Sequence, residues 1–283
     1  MDLCNISVIK SLMSDAGITF RKEFGQNFLI NRIIPESIAD NAANTENTLI
    51  IEIGPGIGCL TKELALRYKR VVAIEIDKGL IPVLEKTLAE FDNVTVINAD
   101  VMKTDILELV EKYSDGMPVS VCANLPYYIT TPILMYLLES NVRFSSITVM
   151  VQNEVASRLV AKAGSADYGA ITAVLGFYGS AEKLFKVSAG SFMPAPKVDS
   201  AVVKIELYKE NKYFPKDEKF FRNLIKAAFE MRRKTLVNAI NAKFPHIDKG
   251  RIADALVYMG LDQNIRGERL STEQYVVLSD VLA

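Results

Sequence analysis

The stretch CANLPYY (122–128) closes an apolar run, MPVSVCA, with an amide, a proline and two adjacent tyrosines. Such an ending adds little core, because Asn124 and the rings of Tyr127 and Tyr128 would sit where a strand leaves its sheet. An amide beside a flat aromatic face suits a planar ligand that hydrogen-bonds at its edge. Three other run ends carry related groups. In EIGPGIGCLT (52–61), Gly54, Gly56 and Gly58 allow a tight turn and a close backbone approach to a ligand before a helix starts near Cys59. VVAIE ends in Glu75, where a carboxylate can accept from both hydroxyls of a ribose. VTVINAD ends in Asp100, an acceptor for the exocyclic amine of an adenine and equally a helix N-cap; one carboxylate can do both.

A glycine turn followed by an acidic strand end is shared with dehydrogenases, so phosphate decides between ligands. A dinucleotide turn reads GxGxxG and lays a pyrophosphate on a helix N-terminus. Here the run is GPGIG, with Pro55 inside it and Cys59 where the third glycine would fall. A phosphate-free adenosine ligand fits better. S-adenosylmethionine is one, and its sulfonium suits a pocket bearing Glu75 and Asp100.

Gathering these groups requires strand ends that lie side by side. The apolar runs 49–54, 71–77, 94–100, 119–125 and 147–152 alternate with helical stretches, the pattern of a mostly parallel sheet covered on both faces. Two later runs, AEKLFKVS and SAVVKIELY, are near enough in chain to pair as a hairpin-like edge. A short amphipathic helix over 1–17 and a basic aromatic loop, FRKEFGQNFLI, precede the first strand, with a helix over 31–43 between. From residue 209 the chain turns polar and contains Pro215; beyond it only helices are expected, over 217–230, 231–243, 248–259 and 271–282. The expected fold is α/β, a Rossmann-like domain over 1–208, with an all-helical domain over 209–283.

Composition agrees with a folded two-domain protein: 283 residues, 49% hydrophobic and 24% charged. No run approaches the ~18 apolar residues that span a bilayer, and no basic-then-apolar leader opens the chain, so a cytoplasmic location and no membrane partner are expected. Cys4, Cys59 and Cys122 form no CxxC pair and read as small buried packers; the single histidine, His246, lies in KFPHID. No metal site is expected. The formal net charge is −1, yet residues 222–251 hold eight Lys and Arg against two acidic residues. That local excess can attract a polyanion.

The blocks FGQNFL (24–29), IEIGPGIGCLT (51–61), VVAIEID (71–77), NADVMK (98–103), NLPYYITTPI (124–133), MVQNEVASRL (150–159) and FMPAPKVDSAVV (192–203) together resemble the KsgA/RsmA family of ribosomal RNA adenine N6,N6-dimethyltransferases, relatives of the Erm and Dim-type enzymes. The resemblance implies a class I methyltransferase fold, S-adenosylmethionine as cofactor and small-subunit 16S rRNA as substrate, met in an immature 30S particle by a monomer. The residue types suit that reaction. An adenine N6 lone pair is delocalised into the ring, so its hydrogens must be held as the nitrogen becomes tetrahedral. The Asn124 side-chain oxygen and the Leu125 carbonyl, stiffened by Pro126, can accept them, while Tyr127 stacks on the base. No strong general base is required.

Other roles rest on the resemblance alone. It implies that Phe192 closes the second face of the adenine, that the lid loop over 18–30 brings Asn27 and Leu29 to the methionine end of the cofactor, and that Tyr168, in GSADYGAIT, contacts RNA. FEMRRKTLVNAI (229–240) spans the expected boundary at 230/231 and reads as basic amphipathic helix, with Phe229, Leu236 and Ile240 inward and Arg232, Arg233 and Lys234 outward. Those charges suit a solvated face, and the resemblance directs them to phosphates. Gln152 and Asn153 could line the substrate side, with a helix cap at Asn153 as the other reading; Tyr128 is expected to pack. The competing functions are an Erm-like enzyme acting on 23S rRNA, a non-catalytic assembly factor on the same fold and a dinucleotide oxidoreductase.

Overall fold

The computed structural model describes residues 1–18 and 26–283. Its strands are β1 (Phe28–Leu29), β2 (Leu49–Ile53), β3 (Arg70–Glu75), β4 (Val94–Asn98), β5 (Val119–Asn124), β6 (Ser146–Gln152), β7 (Gly179–Val187), β8 (Phe192–Met193) and β9 (Ser200–Leu207). The large sheet has the order β4, β3, β2, β5, β6, β9, β7, while β1 pairs with β8 in a separate two-stranded ladder. β4, β3, β2, β5 and β6 run parallel, with Ile51 facing both Val72 and Val121; β9 joins β6 antiparallel, with Val203 opposite Val149. The burial explains the run composition. Every residue of β2 is buried, as continuous apolar strands covered on both faces should be, whereas outer β4 is only half-buried.

Helices α1 (Ile6–Asp15), α2 (Ile33–Asp40), α3 (Cys59–Arg67), α4 (Ile81–Thr87), α5 (Ile106–Tyr113), α6 (Thr130–Leu138) and α7 (Asn153–Leu159) precede or connect the strands. Several start on side-chain caps: Asn5 accepts from the Ser7 N–H, and Asp105 from the N–H groups of Leu107 and Glu108. Strand order reverses between β2 and β5. Crossover connections leave that boundary in opposite directions, which opens a crevice at the carboxyl ends of β2, β3 and β5.

By contact, the chain divides into two compact units, one formed by Met1–Ala156 with Ala181–Leu207 and the other by Ser157–Ser180 with Tyr208–Ala283. The second unit contains α8 (Ala170–Tyr178), α9 (Glu218–Glu230), α10 (Leu236–Lys243), α11 (Lys249–Tyr258) and α12 (Thr272–Leu282). Residues 157–180, read from sequence as part of the first domain, group with these helices. The reason is α8: Ile171, Val174, Leu175 and Phe177 are buried, and Thr272 Oγ1 donates to the Ala173 carbonyl at 2.8 Å. At the centre of this unit Tyr275 is fully buried and donates its hydroxyl proton to the Gly267 carbonyl at 2.8 Å.

The boundary expected at 230/231 falls inside FEMRRKTLVNAI, and the second helix starts later than expected. α9 stops at Glu230, and Thr235 caps α10 by accepting from the Asn238 N–H, so Arg232, Arg233 and Lys234 occupy the turn between two helices. A Thr with extended backbone and a free hydroxyl starts a new helix more readily than it continues an old one.

Candidate active site

The crevice holds an open cavity at the carboxyl ends of β2, β3 and β5. Its floor is the glycine turn. Gly58, at φ 90°, ends the turn in the left-handed region and precedes α3; a Cβ there would stand 3.1 Å from Thr87 Oγ1 and 3.2 Å from Leu88 Cδ2, so the glycine serves both conformation and helix packing. The same Thr87 hydroxyl donates to the Ile57 carbonyl at 3.0 Å and fixes the turn.

Glu75 is 5% exposed and holds this floor to β3: one carboxylate oxygen accepts from the Gly56 N–H at 3.1 Å and the other from the Asp77 N–H at 2.8 Å. Burial raises its pKa above the usual glutamate value, and those two backbone donors oppose the rise. Asp77, also buried, accepts from the Gly79 N–H and from Gln26 Nε2 at 2.9 Å, which ties the start of the β1 segment to the cavity edge. Glu52 lies deeper on the lining, with Oε2 lacking a hydrogen-bond partner; burial pushes its carboxyl up to about 8, and the Glu75 charge adds to the rise.

The Asn124–Tyr127 segment forms the opposite wall. Leu125 is anchored by its N–H to the Met150 carbonyl of β6 at 3.2 Å. The Pro126 carbonyl accepts from the Ile129 N–H and from Thr130 Oγ1, so the segment is a hydrogen-bonded turn leading into α6. Asn124 Nδ2 donates to the Asn27 carbonyl at 3.4 Å, which leaves Oδ1 as the acceptor end of the amide. Tyr127 is held by a 2.6 Å bond between its hydroxyl and Ser200 Oγ on β9, and burial raises its phenol pKa. The ring thus has a fixed position on the cavity wall.

A family model described as ribosomal RNA adenine dimethylase matches residues 17–283. The chain belongs to the ribosomal RNA adenine dimethylase family. It is 46% identical over 276 residues to the ribosomal RNA small subunit methyltransferase A of Bacillus licheniformis, covering 96% of this chain and 94% of that one. Its fold is similar to that of a dimethyladenosine transferase from Plasmodium falciparum, with a TM-score of 0.75 and 26% identity over 88% of this chain and 95% of the other. It is also similar to the 23S rRNA methyltransferase ErmE, with a TM-score of 0.68 and 26% identity over 90% and 99%. The α/β sheet expected from the alternating runs, and the methyltransferase fold implied by the resemblance, are therefore those of this dimethylase, an rRNA-methylating enzyme. No helix among the described residues is long and apolar enough to cross a membrane.

Within the dimethylase cavity the structure gathers Asn27, Leu29, Gly54, Gly56, Glu75 and the Asn124–Tyr127 segment. The lid stretch over 18–30 is described only in part, since residues 19–25 lie outside the described residues. Its remainder is more ordered than a loop: Phe28 and Leu29 form β1 against Met193 and Phe192 of β8.

Asp100 takes the capping role: it caps the short 3-10 turn after β4, accepting from the Met102 N–H at 3.0 Å, and its other oxygen lies 3.7 Å from Lys103 Nζ. β4 is the outer strand, one position farther from the crevice than β3. Phe192 is 3% exposed in an apolar cluster that includes Leu29, Val187 and Val202, and it pairs with Leu29 across the β1–β8 ladder. Tyr168 is 3% exposed, with its ring centroid 5.8 Å from that of Phe229, and cannot reach an RNA; burial raises its phenol pKa to about 12. Tyr128, expected to pack, is 61% exposed and lines the cavity. Gln152 and Asn153 do not line it; Asn153 starts α7 and accepts from Lys183 Nζ at 2.5 Å.

Sequence reasoning passed over Glu52, Gln26 and Asp77. A glutamate inside the run LIIEIG was the available signal, since a charged residue in a fully buried strand needs a reason. In the helical unit, Arg232 Nε pairs with Glu268 Oε2 at 2.5 Å and its Nη2 donates to the Ala166 carbonyl at 2.7 Å. Arg233 and Lys234 are exposed, and among the described residues no ion pair engages them.

Proposed function

We propose that this dimethylase transfers methyl groups from S-adenosylmethionine to the N6 amines of two adjacent adenines in 16S rRNA, dimethylating each within an immature 30S subunit. The observation that carries this reading is the convergence of the glycine turn, Glu75 and the Asn124–Tyr127 segment on one cavity. The donor set fits such a cofactor. The Glu75 carboxylate suits a sulfonium and disfavours a pyrophosphate, while Glu52, which keeps its proton below about pH 8, adds a polar group whose Oε2 has no hydrogen-bond partner. Glu75 and the turn over Gly54 and Gly56 would hold the adenosine, and Asn27 and Leu29 its methionine end. Bound there, S-adenosylmethionine would supply an electrophilic methyl group.

The protein's own part is positioning. Asn124 Oδ1 and the Leu125 carbonyl accept the N6 hydrogens of the target and aim its lone pair, and Pro126 limits how far that carbonyl can swing. Tyr127, fixed through Ser200, offers the stacking face. A base in a duplex or stacked loop must be flipped out to reach these groups. Once methylated, the amine carries positive charge and is acidic enough to lose its proton, so no strong general base is needed. Phosphate contacts come from Arg233 and Lys234 in the exposed turn, which set affinity and register more than sequence choice. The enzyme acts as a monomer in the cytoplasm, where 30S particles assemble.

The test is incubation of the protein with labelled S-adenosylmethionine and, in parallel, unmethylated small subunits and large subunits, followed by nucleoside analysis of each rRNA. N6,N6-dimethyladenosine in 16S rRNA is the expected product. Label confined to 23S rRNA would instead place the enzyme with the Erm type, and binding without label would leave an assembly factor.

A further inference from the structure

A second cavity, of about 260 Å³, opens behind the glycine turn and is lined by Cys4, Cys59, Arg32 and Lys62, with Asp2 and Glu63 among the remaining lining groups. Within it Cys4 Sγ and Cys59 Sγ are 3.0 Å apart, although they are separated by 55 residues of sequence. The geometry points to an oxidation site: Cys4 and Cys59 are a thiol pair that closes to a disulfide and pins the amino-terminal segment to the start of α3. A disulfide requires the sulfurs to approach to about 2.05 Å. The thiols therefore need to close by only about 1 Å.

The surroundings assign different parts to the two sulfurs. A hydrogen bond from the Cys59 thiol lowers the Cys4 pKa, against burial and the charges of Asp2 and Glu63, and the Arg32 charge helps. The same bond, together with burial, pushes the Cys59 thiol up. Cys4 is thus the nucleophile and Cys59 the resolving thiol. With hydrogen peroxide as oxidant, the Cys4 sulfur attacks one peroxide oxygen, the O–O bond breaks and a sulfenic acid forms as water leaves. The Cys59 sulfur then attacks the Cys4 sulfur, its proton leaves with the hydroxyl as a second water, and the S–S bond is made. Two thiols and one peroxide give one disulfide and two waters, so atoms and electrons balance. Cys122, fully buried in β5 and raised well above its ordinary pKa by burial, has no part in this and serves as the internal control.

The consequence is mechanical. Cys59 lines both cavities and directly follows Gly58, so the bond would fasten the turn under the cofactor cavity to the residues before α1. Cross-links that close long stretches of chain restrict the unfolded state most.

The full-length reduced protein is exposed to hydrogen peroxide, quenched, alkylated and mapped under non-reducing conditions. The expected result is a linked peptide joining Cys4 to Cys59, alkylation of Cys122 alone, a Tm higher by about 5 °C or more, and full reversal by dithiothreitol. Cys59→Ser should leave a Cys4 sulfenic acid that dimedone traps and should show no gain in Tm; Cys4→Ser should show neither adduct nor gain. Linkage through Cys122, absence of the 4–59 peptide while Cys4 over-oxidises, a linked protein with no rise in Tm, or a rise in either serine variant would each overturn the assignment.

Discussion

The cavity of the sheet unit and the basic turn of the helical unit both present polar groups, but they hold them differently. Around Glu75 each carboxylate oxygen is occupied by a backbone N–H, and Tyr127 is fixed to a buried serine. In the turn over 231–235, Arg232 is tied to Glu268 and Ala166 while its neighbours Arg233 and Lys234 reach into solvent. Groups locked by buried partners can define angles and distances to a reacting atom. Exposed cations define little geometry, but they act at range and weaken as salt rises. The contrast teaches that geometry and affinity are supplied by different kinds of environment, and that substitutions should separate them.

The largest effect is expected at the cavity. Asn124→Ala removes an acceptor for the amine hydrogens and should slow single-turnover methyl transfer by about 10²–10³-fold. Its affinity for unmethylated subunits, measured by filter binding, should stay close to that of the parent. A rate loss matched by an equal loss of subunit affinity would erase the distinction between the two regions. Next comes Glu75→Ala, which strips an acceptor from the cofactor and leaves the Gly56 and Asp77 N–H groups without their partner. Calorimetric titration with S-adenosylhomocysteine should show affinity reduced by about 10–100-fold. If NAD bound the parent with comparable strength, the adenosine-sulfonium reading of the cavity would fail.

Glu52 sharpens the comparison through pH. Its carboxyl is raised to about 8 by burial, from the ordinary 4.5, so the folded chain keeps a proton that the unfolded chain releases. The contribution of this group to stability is complete below about pH 4.5 and is lost as pH climbs through about 8. Glu52→Gln keeps the shape without the titration. In urea melts the variant should gain on the parent steadily between pH 5 and pH 8, by an amount on the order of a few kcal/mol at the upper end. Parallel stability curves for the two proteins would mean that the buried carboxyl is not where the proton is held.

The two regions also differ in how legible they are from sequence. Strand ends are easy to read because burial on both faces forces continuous apolar runs, and whatever polar residue breaks a run stands out, as Glu75 and Asn124 do. The same logic does not separate Asp100 from Glu75: both end a run, but sheet order, which no local pattern encodes, puts β4 outermost, where the Asp100 carboxylate caps the turn that follows. Phe192 and Tyr168 are hard to read for another reason. An aromatic residue in a loop-like stretch can face a ligand or the core, and only packing against Leu29, Val187 or Phe229 decides. In the helical unit the apolar spacing of Phe229, Leu236 and Ile240 does not place the start of the second helix, which a single capping hydroxyl, Thr235, sets. The closeness of Cys4 to Cys59 is a tertiary fact, invisible at a separation of 55 residues.

The smallest expected effect tests the basic turn itself. Each phosphate neutralised on a single-stranded RNA contributes about 0.7 to the slope of log affinity against log salt. Arg233→Ala with Lys234→Ala should therefore flatten that slope by about 1.4, with unchanged methyl-transfer rates at saturating subunit. Arg232→Ala should behave otherwise, because its guanidinium is already committed to Glu268 and the Ala166 carbonyl: the salt slope should hold while stability falls by about 1 kcal/mol or less. Three adjacent basic residues, alike in sequence, would then be divided by their partners into one clamp and two ligands for phosphate. If Arg232→Ala flattened the slope as much as the double variant, the pair with Glu268 would have to exchange for RNA on binding, and the turn would be a switch rather than a fixed surface.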